Sequence, residues 1–207
     1  MNQQRFTLLR LPIIAVEDVI KHLYADDQYT FSRITKRTRG IMKSLSRRLP
    51  PYSLMFIVNS ESCQYCIGTT GDRSVVYHFK AVGAPYRYFT EDDDFADEII
   101  YDIKEISDVF NKPEISLTVQ KRWQMEPMIE AAKELGLKLF SISVTDREVL
   151  DYQSYNDLMN DSKDAEIIEI CSRAPRDYRL EEGIRFSCTS VELKQAHWFT
   201  LDVLEKY

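Results

Sequence analysis

Long apolar runs, glycine and histidine are scarce in this chain of 207 residues. None of its apolar runs approaches the roughly 20 residues that a membrane-spanning helix needs. The first residues also lack the unbroken apolar run and the small-residue cleavage site of a secretory signal. The sequence therefore predicts a soluble intracellular protein that does not contact a membrane, and it leaves the compartment and the oligomeric state open.

Motifs for catalysis and for metal binding are missing as well. The chain has three histidines, no HExxH or GxSxG pattern, and no histidine beside a candidate nucleophile. Its four cysteines do not form the dense disulfide framework of a small secreted domain, so we expect them to be reduced. Cys63 and Cys66 form a CxxC pair, but structural zinc needs four ligands and a second close pair is absent. We predict no enzyme activity, no cofactor and no metal site.

Charge is distributed unevenly along the chain. Residues 1–50 hold ten Lys/Arg and four Asp/Glu, a net charge of +6, whereas residues 51–207 hold 17 and 29, a net charge of −12. Such asymmetry indicates separate domains or separate partners, with the first part facing something negative. Both an acidic protein and a nucleic acid fit this description.

The basic first part predicts three short helices. Pro12 suits the first turn of a helix, Asp26 and Asp27 can cap the second helix, and the Pro50–Pro51 pair stops the third. The apolar residues at helical spacing are Ile13, Val16 and Ile20 in the first helix, Phe31 and Ile34 in the second, and Ile41 in the third. Three helices of this length bury little surface alone, so we expect them to lean on a partner or on the next domain.

These same elements resemble an F-box. Residues 6–12 read FTLLRLP, and the third helix reads KRTRGIMKS, which is most similar to nematode F-box proteins with FPLLRLP and SKRTKRIVKS at these places. The resemblance covers residues 5–49 and implies docking to the Skp adaptor of a cullin–RING ubiquitin ligase. The residues that it implies for adaptor contact are Leu8, Leu11, Pro12, Ile13, Val16, Ile20, Phe31, Ile34 and Ile41.

The second helix departs from the family pattern. Asp26 and Gln28 stand near its start, where the family usually has an apolar residue, and Thr35 replaces the family's serine before Lys-Arg. Whether the changes at Asp26 and Gln28 weaken adaptor binding is a question that the sequence leaves open.

A DNA-binding helix-turn-helix is the alternative for the same residues, since a second helix, a turn and a basic third helix are all present. The basic residues are not interleaved with the Asn, Gln or Ser side chains that contact base edges, and the Leu-Pro entry has no role in that motif. We therefore expect no nucleic acid partner. An interaction scaffold without ligase coupling is a further alternative.

The rest of the chain predicts an α/β fold. Residues 50–90 predict a β-hairpin segment, and residues 91–207 begin with an acidic helix start. Strand-like pieces then begin at residues 114, 139, 165 and 190, spaced 25, 26 and 25 residues apart with helical stretches between them. This period is typical of a leucine-rich-repeat-like solenoid with parallel strands.

The resemblance implies that this second region recognises an unidentified target protein. Its closing AHWFTL stretch is similar to the HWxTL stretch of a type 2 F-box-associated segment, after which family members usually continue. We accordingly expect a shortened form of a longer fold, with the fourth strand, around Val191 and Leu193, as an open edge.

Overall fold

A computed structural model of the chain describes residues 11–59, 63–69, 80–82, 95–181, 183–194 and 196. Over these ranges the fold is mixed α/β, with six helices and one sheet of seven strands. The elements in chain order are α1 (Ile13–Lys21), α2 (Ala25–Ser32), α3 (Lys36–Ser46), β1 (Tyr52–Val58), β2 (Cys63–Thr69), β3 (Lys80–Val82), α4 (Phe95–Val109), β4 (Glu114–Val119), α5 (Arg122–Leu135), β5 (Leu139–Val144), α6 (Tyr152–Ser162), β6 (Ile167–Ile170) and β7 (Ser190–Leu193).

The sheet is mostly parallel, with the strand order β3-β2-β1-β4-β5-β6-β7. β1 pairs in parallel with β4, and β5, β6 and β7 follow in parallel, whereas β2 and β3 are antiparallel. The strand pieces predicted at residues 114 and 139 match β4 and β5 residue for residue. Of the β-hairpin segment predicted for residues 50–90, the structure describes β1, β2 and β3, and residues 70–79 between β2 and β3 lie outside the described ranges. β1 pairs with both β2 and β4, so these strands and the later ones belong to one sheet.

The connections between the parallel strands place the helices on one face of this sheet. From β1 through β4, β5 and β6 to β7, each parallel strand lies beside the one before it, and the sheet grows in one direction. Because crossovers between parallel strands are right-handed, helices in connections that all run in this direction lie on the same face. Alternate strand residues are accordingly buried beneath the helices, among them Leu117 in β4, Ile142 in β5 and Ile168 in β6. Their neighbours along each strand lie on the other face.

The helices form where the apolar periodicity predicts them. In α4, Ile99, Ile103 and Ile106 are buried at helical spacing. α5 ends at Gly136, which adopts the left-handed conformation (φ +61°) that favours glycine after a helix. The apolar residues Val149, Tyr152, Tyr155 and Met159 predict a helix that includes Val149, but α6 begins after it. The helix begins at Tyr152 because Asp151 is its N-cap and accepts from the Ser154 amide at 2.8 Å.

We call α1–α3 the helical head. Its α2 and α3 pack against α4 and the sheet. The Phe110 ring, just after α4, lies 4.2 Å from the Tyr52 ring in β1 and 6.1 Å from the Tyr29 ring in α2. The hydroxyl of Ser46 in α3 donates to the Val109 carbonyl at 2.9 Å. The expectation that these three helices lean on the next domain is therefore confirmed.

Candidate functional site

The helical head carries most of the large apolar side chains that the described residues leave exposed. There are eight such side chains, and five of them belong to the head. We call these five the apolar head surface: Ile13, Ile14, Val19, Tyr24 and Ile34. Ile13 and Val19 flank the buried stripe of α1, which consists of Val16 and Ile20. All five lie between residues 13 and 34, which makes them the candidates for a protein-binding surface in the described part of the chain.

The residues implied for adaptor contact separate into an exposed and a buried group. Pro12, Ile13 and Ile34 are exposed, with half of Ile13 and 65% of Ile34 open to solvent. Val16, Ile20, Phe31 and Ile41 are all buried in the chain's own core, and Leu11 is partly buried against it. Leu8 lies outside the described residues. In this structure the four buried side chains support the head from inside and are not accessible to a partner.

Three exposed apolar residues escaped the sequence analysis. Ile14 and Tyr24 do not fall at the helical spacing of Ile13, Val16 and Ile20, and Val19 lies next to Ile20 in sequence. The periodicity therefore did not identify these three residues as binding residues. A helical wheel of α1 would have found Ile14 and Val19, because both lie away from the stripe formed by Val16 and Ile20. Tyr24, which precedes α2 as its N-cap residue, has no local signal of this kind.

Gln28, one of the two departures from the F-box pattern, is a buried hydrogen-bonding centre. Its side-chain nitrogen donates to the carbonyls of Ile20 at 3.2 Å and Leu23 at 2.9 Å, and its oxygen accepts from the Tyr52 hydroxyl at 2.6 Å. These three bonds connect the end of α1 to α2 and to strand β1. The polar residue is therefore accounted for by contacts within the chain, since buried polar groups need partners.

The basic third helix faces acidic side chains of the same chain. The Arg39 guanidinium donates to Glu105 at 2.9 Å and to Asp108 at 2.5 Å, and the Lys43 ammonium donates to Asp108 at 2.5 Å. Bonds from Lys43 and Arg39 lower the pKa of the Asp108 carboxyl. Arg48, close behind α3, pairs with Glu17 of α1. Three of the head's cations are thus already engaged by carboxylates within the chain.

Substituting Asp108 by Asn is expected to remove part of the acid sensitivity of the fold. Because the pKa of Asp108 is lowered in the folded state, its contribution is present above the unfolded pKa of about 3.9 and is lost as the pH falls through the folded value. Its side chain is 43% exposed, so the contribution is below about 1 kcal/mol. Urea unfolding at neutral and acidic pH measures this difference. Asp164→Asn, at an exposed aspartate, is the control, and equal acid sensitivity of wild type and Asp108→Asn would contradict the prediction.

The CxxC pair does not form a chelating site. Cys63 and Cys66 are both buried in β2, and a three-residue step along a strand turns their side chains to opposite faces. The Cys66 thiol donates to the Met55 carbonyl, and burial raises the pKa of this thiol to about 11. Within the described ranges the structure also brings together no group of three or more His, Cys, Asp or Glu side chains that could hold a metal ion.

The face of the sheet opposite the helices carries small hydroxyl side chains and charged groups. We call it the open face. Lys138 bridges Glu114 at 3.1 Å and Glu166 at 2.7 Å where β4, β5 and β6 begin. At the other end of the strands, Lys194 bridges Glu169 at 2.9 Å and Glu192 at 3.6 Å. The hydroxyl residues of this face are Ser116 and Thr118 in β4 and Ser141 and Ser143 in β5. Its lysines are therefore used in ion pairs that connect neighbouring strands.

Comparisons of the chain with protein-family models, with curated proteins and with solved structures return no match. In the part of the chain that the structure describes, no helix combines the length and the apolar character that a bilayer crossing requires. A function must therefore be argued from the surfaces described above.

Proposed function

We propose that this chain is the substrate-recognition subunit of a Skp–cullin–F-box ubiquitin ligase. The helical head docks to a Skp-family adaptor, and through it to a cullin, while the α/β region that follows holds a target protein. The ubiquitin-transfer chemistry belongs to other subunits, so the chain itself needs no catalytic group. The observation that carries the proposal is the apolar head surface, which stays exposed although the head already has a buried core.

Two features of the head support an F-box. Three helices, α1 to α3, lie within the stretch that carries the resemblance, and Thr35, at the place of the family's serine, is the N-cap of α3 and accepts from the Thr38 amide at 3.1 Å. The departure at Gln28 has a role inside the fold, so it does not argue against an adaptor surface formed by other side chains.

The second region supports a leucine-rich-repeat-like receptor. Four parallel strands, β4 to β7, follow one another in sheet order as in the chain, with a helix between β4 and β5 and another between β5 and β6. Within the described ranges this arrangement places the helices on one face of the sheet, as in solenoids built from strand–helix repeats. The open face and the loops at its rim are suited to holding a partner.

The helix-turn-helix alternative is less well supported. It requires the basic face of α3 to meet phosphates and bases, whereas Arg39 and Lys43 on this helix are paired with Glu105 and Asp108. An interaction scaffold without ligase coupling has the same surfaces as an F-box protein, so only a binding measurement separates the two.

Adaptor binding tests the proposal directly. We expect the full chain to co-purify with a Skp-family adaptor. The pair Ile13→Ser with Ile34→Ser should weaken binding at least about tenfold, because interface anchors typically contribute more than about 1 kcal/mol each. Leu11→Ala with Pro12→Ala should abolish co-purification while the rest of the chain stays folded. The measurement is the affinity of each purified variant for the adaptor.

Tyr101→Ser is the matched control for these variants. Tyr101 is an exposed apolar residue of α4, outside the helical head, so its replacement should leave adaptor affinity unchanged. A wild-type chain that fails to bind any Skp-family adaptor would reject the ligase function and leave the scaffold alternative. Unchanged binding by the Ile13/Ile34 pair would mean that the apolar head surface is not the docking site.

A further inference from the structure

The loop after β6 carries three exposed arginines. Arg173, Arg176 and Arg179 are all exposed, and none of them forms an ion pair within the described part of the chain. Other cations of the same region are engaged: Lys121, for example, lies 2.6 Å from both Asp146 and Glu148. Cations without an ion pair also occur elsewhere in the described part of the chain, at Lys133 and Arg185 for example, but here three such arginines lie within seven residues of one another.

Two exposed apolar side chains lie beside these arginines. Val149 is 65% exposed, and it forms a bridge with Arg173 in which the Arg173 amide donates to the Glu148 carbonyl at 3.0 Å. Tyr152 is 40% exposed, and its hydroxyl donates to the Arg179 carbonyl at 2.8 Å. These bonds attach both ends of the 173–179 segment to residues next to the apolar side chains. We call the five residues Arg173, Arg176, Arg179, Val149 and Tyr152 the arginine patch.

The arginine patch is held on a rigid base. The Tyr178 ring is buried, lies 5.1 Å from the Tyr152 ring and 4.8 Å from the Tyr155 ring, and its hydroxyl donates to Asn156 at 3.2 Å. The segment follows the carboxyl end of β6, and the residues around Val149 to which it is bonded follow the carboxyl end of β5. A fixed backbone lowers the entropy cost of binding for the side chains that it presents.

We propose that the arginine patch binds an acidic peptide segment of a partner protein. Side-chain carboxylates of the peptide pair with the arginines, and one apolar side chain of the peptide rests on Val149 and Tyr152. Residues 173–179 contain three arginines and one aspartate, Asp177, so the segment carries a net charge of +2 in a chain whose net charge is −6. Charge complementarity of this kind favours an acidic partner.

The three arginines stand at separate places along the segment. Arg173 lies before and Arg179 after a turn in which the Tyr178 amide donates to the Pro175 carbonyl at 3.1 Å, and Arg176 lies within this turn. Separate guanidinium groups can each pair with a different carboxylate of a peptide. A long nucleic acid is disfavoured more strongly than a short acidic peptide, because the net charge of −12 on residues 51–207 repels every phosphate along its backbone, whereas a short peptide places only a few carboxylates at the patch.

The inference that the arginine patch holds the target of a ligase rests on the proposed function. The inference that the patch binds an acidic peptide does not depend on it. Its test uses no adaptor, so a failure to bind peptide and a failure to bind adaptor are separate results. The probe is a library of random peptides displayed on yeast, selected against the full chain. Peptides that combine several Asp or Glu residues with an apolar residue should be enriched.

Matched variants then locate the binding site. The triple variant Arg173→Gln, Arg176→Gln and Arg179→Gln should bind an enriched peptide at least about tenfold more weakly, and raising the salt concentration should weaken wild-type binding. Val149→Ser should weaken binding of the same peptide without changing its salt dependence. Arg185→Gln, at an exposed arginine outside the patch, should bind like wild type.

Several outcomes would overturn the proposal. They are the absence of any enriched peptide, enrichment without an acidic bias, and a triple variant that is folded and binds the same peptides as wild type. Equal binding by a peptide in which every Glu is replaced by Gln would also overturn it. A single-stranded RNA that displaces the peptide at lower concentration than unlabelled peptide would assign the patch to a nucleic acid instead.

Discussion

Replacing Phe110 by alanine is expected to destabilise the whole chain by about 3–5 kcal/mol. Phe110 is fully buried, and its ring packs on Tyr52 in the sheet and on Tyr29 in the helical head. The substitution therefore leaves a cavity at the point where the head, α4 and the sheet meet. Since a domain of this kind is stable by only about 5–15 kcal/mol, the loss is a large part of the total.

Urea unfolding measures this effect, with near-ultraviolet circular dichroism for the tyrosine core and far-ultraviolet circular dichroism for the helices. In the wild type the two signals should change in one transition, because the head and the sheet share one core. Tyr101→Ala, at an exposed position, is the control and should change the free energy of unfolding by less than about 0.5 kcal/mol. Two separate wild-type transitions, or a loss confined to one of the signals, would show that the head folds by itself.

The sequence was a sufficient guide for the central strands and the helices between them. β4 and β5 are short apolar stretches with β-branched residues, each preceded by a turn signal, Pro113 before β4 and Gly136 before β5. Their burial alternates only in part: Ser116 is buried between Ile115 and Leu117 in β4, and a register shift beside Ile115 interrupts the alternation in β5. The pairing of β1 with β4 was not predictable in this way, because roughly 55 residues separate them and no local pattern specifies a partner that distant.

The charge asymmetry predicted something negative opposite the first fifty residues, and an acidic partner protein or nucleic acid in that role stays a prediction. The basic first fifty residues predicted a negative partner, and for Arg39 and Lys43 that partner includes Asp108 of α4. Composition cannot distinguish an acid in the same chain from one in another molecule, because both satisfy the same charge.

The set of adaptor-contact residues expected from the sequence has a related weakness. The periodicity that identified Val16 and Ile20 also predicts their burial, so the same stripe cannot serve both the core and a partner.

Gln28→Ala is expected to destabilise the chain by about 2–3 kcal/mol, because it removes three hydrogen bonds of a buried side chain and leaves the Tyr52 hydroxyl without its acceptor. The Ile20 carbonyl still accepts from the Leu23 amide at 3.0 Å. Tyr52→Phe, which removes only the hydroxyl, should lose about 1 kcal/mol. The double variant should lose less than the sum of the two, and the difference in the free energies of unfolding measures the coupling between the residues. Strict additivity would mean that the 2.6 Å bond between them contributes nothing to stability.

Gln28→Leu separates a structural role of this residue from a role in docking. It restores the apolar character that nematode F-box proteins usually have near this position, and it removes all three hydrogen bonds of Gln28. Because the side chain is 3% exposed, we expect lower stability and an adaptor affinity, measured well below the unfolding temperature, that stays within about twofold of wild type. Higher affinity with unchanged stability would mean instead that the glutamine is a docking residue and that its burial does not persist in the complex.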